Sequence, residues 1–426
     1  MSKIIGGWEI SLEAGLRTDA AAYDVSVYDD PATGYDAGGG QLQWVRLDCQ
    51  LTRVSCSRGM RASAMPGAFA EAGRLLADFH DPDRVLDPTF GAFELYLAPG
   101  TPVRLVARKL DELAVMWTGT ADRWEHELLD GSGSLDAADE VARLAAIPVA
   151  GESRPVEDSG ARIAGLLALA PDPPIIEPSG AGSSLVDVVL SGDLWQLVGE
   201  ITASDGSWLW VTAEGVVRWQ GGGAPPVVDP VVLLDCPDDD VLWDAIYTRL
   251  PVTSDEQLIV NEISAQRLYP AGQTPPAARR YADDASRQAY DPHSLTNTRL
   301  QLTTDQEIDE WASEVLRVHS RPLAGPTGVE LTVDERLPWA ERTMDAVTAL
   351  EVGVWVEIHL TTRGEPQQSW RALVAAIRHD VRPTQWVCSL QLERVEELAT
   401  GGYDAPMSQY DVTEYATSPA RRMVYA

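Results

Sequence analysis

Period-two alternation restricts this chain more than any other feature. From Thr101 to Arg108, and again in the run ending Trp117-Thr118-Gly119-Thr120-Ala121-Asp122-Arg123-Trp124, apolar and polar residues alternate about a short charged connection, Lys109 to Glu112. Alternation of this kind buries one face of an extended chain and wets the other, so the two runs pair as a hairpin. The same pattern places Gln43, Val45, Leu47 and Cys49 opposite Trp44, Arg46, Asp48 and Gln50, and it returns at 8–12, 23–28, 259–268, 329–333, 354–360, 370–379 and 385–392. A chain patterned this way folds mainly as β-sheet.

Helical spacing is confined to fewer stretches. Ser159 opens an Ala/Leu-rich helix to Ala170, which Pro171, Pro173 and Pro174 stop because proline lacks the donor and clashes with the preceding turn. A second helix, Leu194 to Ala203, carries Leu194, Leu197, Val198 and Ile201 on one face and ends at Asp205-Gly206, before a hairpin of Trp208–Thr212 and Val216–Trp219. A third, Thr304 to His319, turns Ile308, Trp311, Ala312 and Val315 inward, and Leu135 to Leu144 reads as a short helix. Met65, Phe69, Ala72, Leu76 and Phe79 are spaced as on a helix, which favours one over Pro66 to Ala72, although Arg74 to Phe79 also suits a strand. Gly38 to Gly40, Pro148 to Asp158 and Gly221 to Pro226 read as loops or linkers, Thr274 to His293 as a polar excursion, and Gly401 to Ala426 as an extended arm.

The bulk numbers narrow the function. With 426 residues the chain has room for two to four cores, and 33 basic against 65 acidic residues, net charge −32, argue against a surface that coats nucleic acid or anionic membrane. Cys49, Cys56, Cys236 and Cys388 are too scattered for a disulfide framework, and without a CxxC pair or Cys/His cluster no structural metal is expected. The amino terminus lacks a secretory pattern, and the longest apolar runs are about eight residues against the roughly 20 a membrane span needs, so synthesis in a cytoplasm is expected.

Chemistry-bearing motifs are missing. GxSxG, HExxH, GxxxxGK[ST] and GxGxxG patterns do not occur, and His80, His126, His293, His319, His359 and His379 are far apart in sequence and read as structural. Asp238 to Asp240 reads as a solvated turn, and Asp130 to Glu140 fails as a calcium loop because Leu135 stands where glycine is needed and Val141 where a bidentate Glu is needed. The 14 tryptophans against four phenylalanines read first as core fillers with a polar handle and second as subunit-interface anchors. No catalytic, cofactor-binding or metal-binding residue is expected.

The order of these features resembles the minor tail proteins of siphophages that infect actinobacteria, a family of tail-tip or baseplate hubs related to the myophage hub. The residues that carry the resemblance are the apolar run before the Asp-rich turn ending Asp87-Pro88, then Pro99-Gly100, Pro102-Val103-Arg104 and Trp117-Thr118-Gly119 with Asp122 and Trp124. Asn261-Glu262-Ile263, the helix from Glu307 and Leu350-Glu351-Val352-Gly353 follow in family order, over about residues 40 to 397. The resemblance implies that Arg74 to Phe79 is a strand. It implies an α+β, mainly β fold with two antiparallel β-barrel hub domains flanking a mixed α/β middle region, at residues 1–150, 151–230 and 231–398 (the last with an inserted helix), then an arm at 399–426. It implies a homotrimer in the virion tail that meets the tail tube or distal tail protein, the tape measure protein and receptor-binding or fibre proteins. DNA would only pass through the lumen, whose acidic wall would repel it, and no stable membrane insertion is implied. The competing reading is a tail-associated cell-wall hydrolase or peptidase; a hub of a prophage or gene-transfer particle would share the same mechanics.

Overall fold

The computed structural model describes residues 3–17, 42–47, 49–60, 68–87, 97–110, 112–222, 226–236, 243–254, 259–269, 277–322, 324–361 and 368–398. Strand is the main element throughout. The first unit contains β1 (Lys3–Ile5), β2 (Trp8–Arg17), β3 (Leu42–Arg46), β4 (Gln50–Met60), β5 (Ala68–His80), β6 (Pro102–Lys109), β7 (Glu112–His126) and β8 (Ser132–Ala138), followed by helix α1 (Glu140–Ala145). Its ladder is antiparallel and runs β3-β2-β6-β7-β8-β5-β4. Among the described residues no β3·β4 ladder closes it. The chain itself bridges that gap, and Leu47 N still reaches Leu12 O at 2.9 Å.

The hairpin read from alternation is β6·β7, paired from Pro102↔Thr120 to Lys109↔Glu112. The helix expected over Pro66 to Ala72 is corrected. Residues 68–80 are one strand, and both neighbours pair with it. The apparent helical spacing arises because Phe69 and Ala70 pack into the middle unit while Leu75, Ala77 and Phe79 alternate into the sheet core. Leu135 to Leu144 likewise divides. Ser132–Ala138 stays in the ladder, and only Glu140–Ala145 coils, starting where the Asp139 side chain caps Val141 N.

The middle unit has β9 (Pro148–Arg154), β10 (Glu157–Asp158), α2 (Ser159–Leu167), β11 (Ile176–Ser179), β12 (Ser184–Leu185), β13 (Val188–Asp193), α3 (Leu194–Asp205), β14 (Trp208–Val211) and β15 (Val217–Gln220). Its core gathers Ile163, Leu166, Leu194, Leu197, Val198 and Ile201 from the two helices against Leu209, Val217 and Trp219. Helix α2 is capped by Asp158, one residue earlier than the sequence suggests. Strand β14 continues the first sheet, pairing parallel with β5 at Trp208↔Ala68.

The last part has β16 (Val231–Leu234), β17 (Ala245–Arg249), β18 (Val252–Ser254), β19 (Glu262–Arg267), β20 (Arg279–Ala282), α4 (Asp284–Tyr290), β21 (Ser294–Leu300), α5 (Asp305–His319), β22 (Ala324–Pro326), β23 (Gly328–Asp334), α6 (Ala340–Ala349), β24 (Trp355–Leu360), β25 (Gln368–Arg382) and β26 (Gln385–Leu398). Strands β16-β17-β23-β26-β25-β24 return to β16, a closed six-stranded barrel. It is not wholly antiparallel: β16 runs parallel to both β17 and β24.

Between β18 and β22 the barrel carries an insertion with its own core, in which Ile308, Trp311, Ala312 and Val315 of α5 cover the sheet β20-β19-β21. The polar excursion at Thr274 to His293 therefore contains an edge strand and a helix, whose apolar content is too low to show in periodicity. Thr304 and Glu307 form a reciprocal capping box at the start of α5. Thr304→Ala is expected to cost about 1 kcal/mol in urea unfolding, with the loss confined to this insertion.

The alternation expected at 23–28, the loop at 38–40 and the arm at 401–426 lie outside the described residues. None of the described helices is long and apolar enough to cross a membrane.

Candidate functional site: a buried junction of three units

Strand β4 has two occupied edges. Gln50 to Met60 pairs with β5, and Val54 to Gly59 pairs antiparallel with Val381 to Ala376 of β25. Strand β25 gives the same edge to β24 over Gln368–Leu373 and to β4 over Ala376–Val381. The first sheet and the barrel are thus one hydrogen-bonded wall, and the seam covers the β4 edge from Val54 to Gly59.

Close approach at this seam depends on glycine. A Cβ on Gly59 would stand 2.3 Å from Ala376 Cα, and φ is +141°. Gly59→Ala is therefore expected to cost about 1–3 kcal/mol and to raise amide exchange along 54–59 and 376–381.

Three units meet beside the seam at one carboxylate. Arg58 of β4 projects to the opposite side from Ser57 and Gly59, and its guanidinium pairs with Glu351 in the turn between α6 and β24. The other Glu351 oxygen accepts Ala213 N of the middle unit at 3.1 Å, and Val352 N donates to Oε1 at 2.7 Å. Two residues on, Gly353 (φ +84°) lets Trp210 of the middle unit pack flat on the turn: a Cβ there would meet Trp210 Cζ2 at 2.9 Å. Burial lowers the Arg58 pKa to about 10, still far above neutral, so the guanidinium is charged at neutral pH. The Leu350-Glu351-Val352-Gly353 run that family order singled out is this junction.

Along β25 the next inward residue is His379, flanked by Cys56 on β4 and Cys388 on β26. Trp386 Nε1 donates to His379 Nδ1 at 3.1 Å, which requires an unprotonated Nδ1 and a neutral ring. Burial, and then the nearby Arg58 charge, depress its pKa to about 3, whereas burial pushes both thiols up to about 12. These cysteines are thus unreactive packing residues.

Because the folded His379 binds its proton far more weakly than the unfolded chain does, stability is full above pH 6.5 and falls as pH drops from 6.5 towards 3. The expected slope is about 1.4 kcal/mol per pH unit from this group. His379→Gln should flatten the urea midpoint against pH in that window.

Other residues that the sequence singled out make local contacts. His126 Nε2 lies 3.3 Å from Asp81, whose carboxylate also accepts Val85 N and Leu86 N and so builds the Asp/Pro turn. Asp130 accepts both Ser132 N and Ser132 Oγ, as a turn residue does. Asp238 to Asp240 lies outside the described residues. Among the described residues no three of His, Cys, Asp and Glu converge to hold a metal ion.

Tryptophans fill cores. Trp117, Trp208, Trp311 and Trp386 are the largest fully buried side chains, and Trp195 and Trp311 use their indole N–H to tie units together, on Ala70 O at 2.8 Å and Ala203 O at 2.9 Å. Sequence reasoning missed Arg58 and Glu351 as partners. The one signal was an arginine at an inward position of an alternating strand, which demands a buried carboxylate somewhere.

This wall of two fused β-units with α/β insertions has counterparts among solved structures. No family model matches the chain, and no curated protein matches it in sequence. Among solved structures, the tail protein from Neisseria meningitidis MC58 superposes with a TM-score of 0.56 at 15% identity, covering 90% of this chain and 96% of that one. The 43 kDa tail protein of prophage MuSo2 from Shewanella oneidensis gives 0.50 at 12% identity, covering 90% and 98%. At such identities the likeness is one of fold.

Proposed function

We propose that the protein is a structural tail-tip or baseplate hub of a phage-type particle, three copies forming a ring that adapts a hexameric tail tube to a three-fold tip. The observation that carries this reading is a shared fold spanning nine-tenths of this chain and nearly the whole of two phage tail proteins. The fused units support it: two β-units in one rigid wall give three subunits six similar positions around an axis, with the first sheet standing as the second barrel. Its neighbours would be the tail tube or distal tail protein and the tape measure protein on one side, and receptor-binding or fibre proteins on the other. The finer resemblance to siphophages of actinobacteria belongs to this proposal as well.

The test is a reconstruction of the particle. Three copies about the tail axis are expected; one copy, or six, would overturn the ring. Purified protein is also expected to leave peptidoglycan intact, and turnover that vanishes on replacing a single carboxylate would favour a hydrolase.

A further inference from the structure

We propose that Ser369 is an activated nucleophile on the outer face of the barrel, with His359 as its general base and Glu357 behind the base, and that it accepts the acyl group of a small ester. This goes beyond the hub role, which needs no reactive group.

Period and register bring the three residues together. Val356 and Ile358 of β24 belong to the barrel core, so Glu357 and His359 stand on the other face of the strand. The β24·β25 ladder sets Ser369 directly opposite His359, and Arg371 opposite Glu357. Ser369 Oγ and His359 Nδ1 are 2.8 Å apart, within the reach that a nucleophile and its base need. On the far side of the ring, Nε2 lies 3.9 Å from Glu357 Oε2. An unprotonated nitrogen there would set its lone pair against a carboxylate. The ring proton therefore belongs on Nε2, and the hydroxyl donates to Nδ1.

Burial deepens from nucleophile to carboxylate. Ser369 is half-buried, whereas the side chains of His359 and Glu357 are 12% and 11% exposed. Burial holds the His359 pKa below its ordinary value against the opposing pull of Glu357, so the ring is a neutral base at neutral pH. Arg371 donates to Glu357 Oε1 at 2.6 and 3.1 Å, and Tyr247 Oη donates to His359 O at 3.2 Å. Glu357 Oε2 is thus kept turned to the ring, where it steadies by charge the imidazolium that forms, as a positioning residue.

In the reaction the bond from Ser369 Oγ to the carbonyl carbon forms while the hydroxyl proton passes to His359 Nδ1. The ester C–O bond then breaks, and the leaving alcohol takes that proton. Water attacks the acyl-serine through the same base and restores the hydroxyl. Ser369 lies near the start of β25, where water reaches it and supplies the hydrogen bonds of the oxyanion. Acyl transfer is accordingly slow and confined to esters with good leaving groups.

A fluorophosphonate tests the site on the full-length chain, because it forms a stable Oγ–P bond, with release of fluoride, at an activated serine. Intact mass and peptide mapping should show a single adduct on Ser369 that is absent from Ser369→Ala. His359→Gln should slow labelling at least about tenfold. Glu357→Gln keeps an acceptor for Arg371 and should also slow labelling with the urea midpoint unmoved, which separates loss of the base from loss of the fold. An unlabelled parent, an adduct on another residue, or full-rate labelling of either His359→Gln or Glu357→Gln would overturn the site. None of these outcomes touches the hub reading, which the particle reconstruction decides.

Discussion

Replacing Glu351 with alanine is expected to lower the free energy of unfolding by about 3–5 kcal/mol, among the largest effects of any single change in this chain. Arg58 is 4% exposed and Glu351 18%, so deleting the carboxylate strands a guanidinium that has no route to water. It also orphans Ala213 N, a backbone donor of another unit. Urea unfolding followed by tryptophan fluorescence should show the loss as a lower midpoint, with the middle unit separating first. The paired replacement Arg58→Met/Glu351→Gln removes the charge together with its partner and keeps an acceptor for Ala213 N. It should recover most of the loss, since a buried ion pair contributes little net stability beyond a well-packed apolar substitute. A midpoint for Glu351→Ala within 1 kcal/mol of the parent would show that the junction is not what joins the three units.

Trp386→Ala comes second, at about 3–5 kcal/mol. The side chain is fully buried in the closed barrel, and its loss leaves a large void in a ring of strands that cannot collapse without breaking the ladder. The indole also holds His379, whose ring it meets edge-on with centroids 5.4 Å apart. Trp386→Phe keeps most of the volume and loses the donor, so a smaller cost, about 1–3 kcal/mol, is expected. Barrel amides of β23 and β25 report the difference in hydrogen exchange. Similar losses for both variants would mean that packing volume is not the main term.

Strand alternation was the most legible part of this fold. The hairpin β6·β7, the strands at 329–333 and 354–360 and the closing pair at 370–392 stand where the pattern places them, although Val103–Ala107 of β6 and Trp355–Ile358 of β24 are covered on both faces. Helices α2, α3 and α5 were legible as stripes facing a single core. Helix α6 was missed. Its buried residues are Ala340, Thr343, Met344, Ala346 and Val347, too small and mixed to stand out as a stripe. The stretch at 68–80 misled because its two ends serve different cores, which breaks the period that a single sheet imposes.

The sequence by itself determined where most strands and three of the helices lie and that no familiar catalytic motif is present, because these follow from contacts between residues close along the chain. Only the tertiary structure decided that β4 and β25 join two units into one wall and that Glu351 holds three units together. Those pairings link residues about 300 positions apart, where loop closure leaves no periodic trace and the choice of partner is made by register and burial.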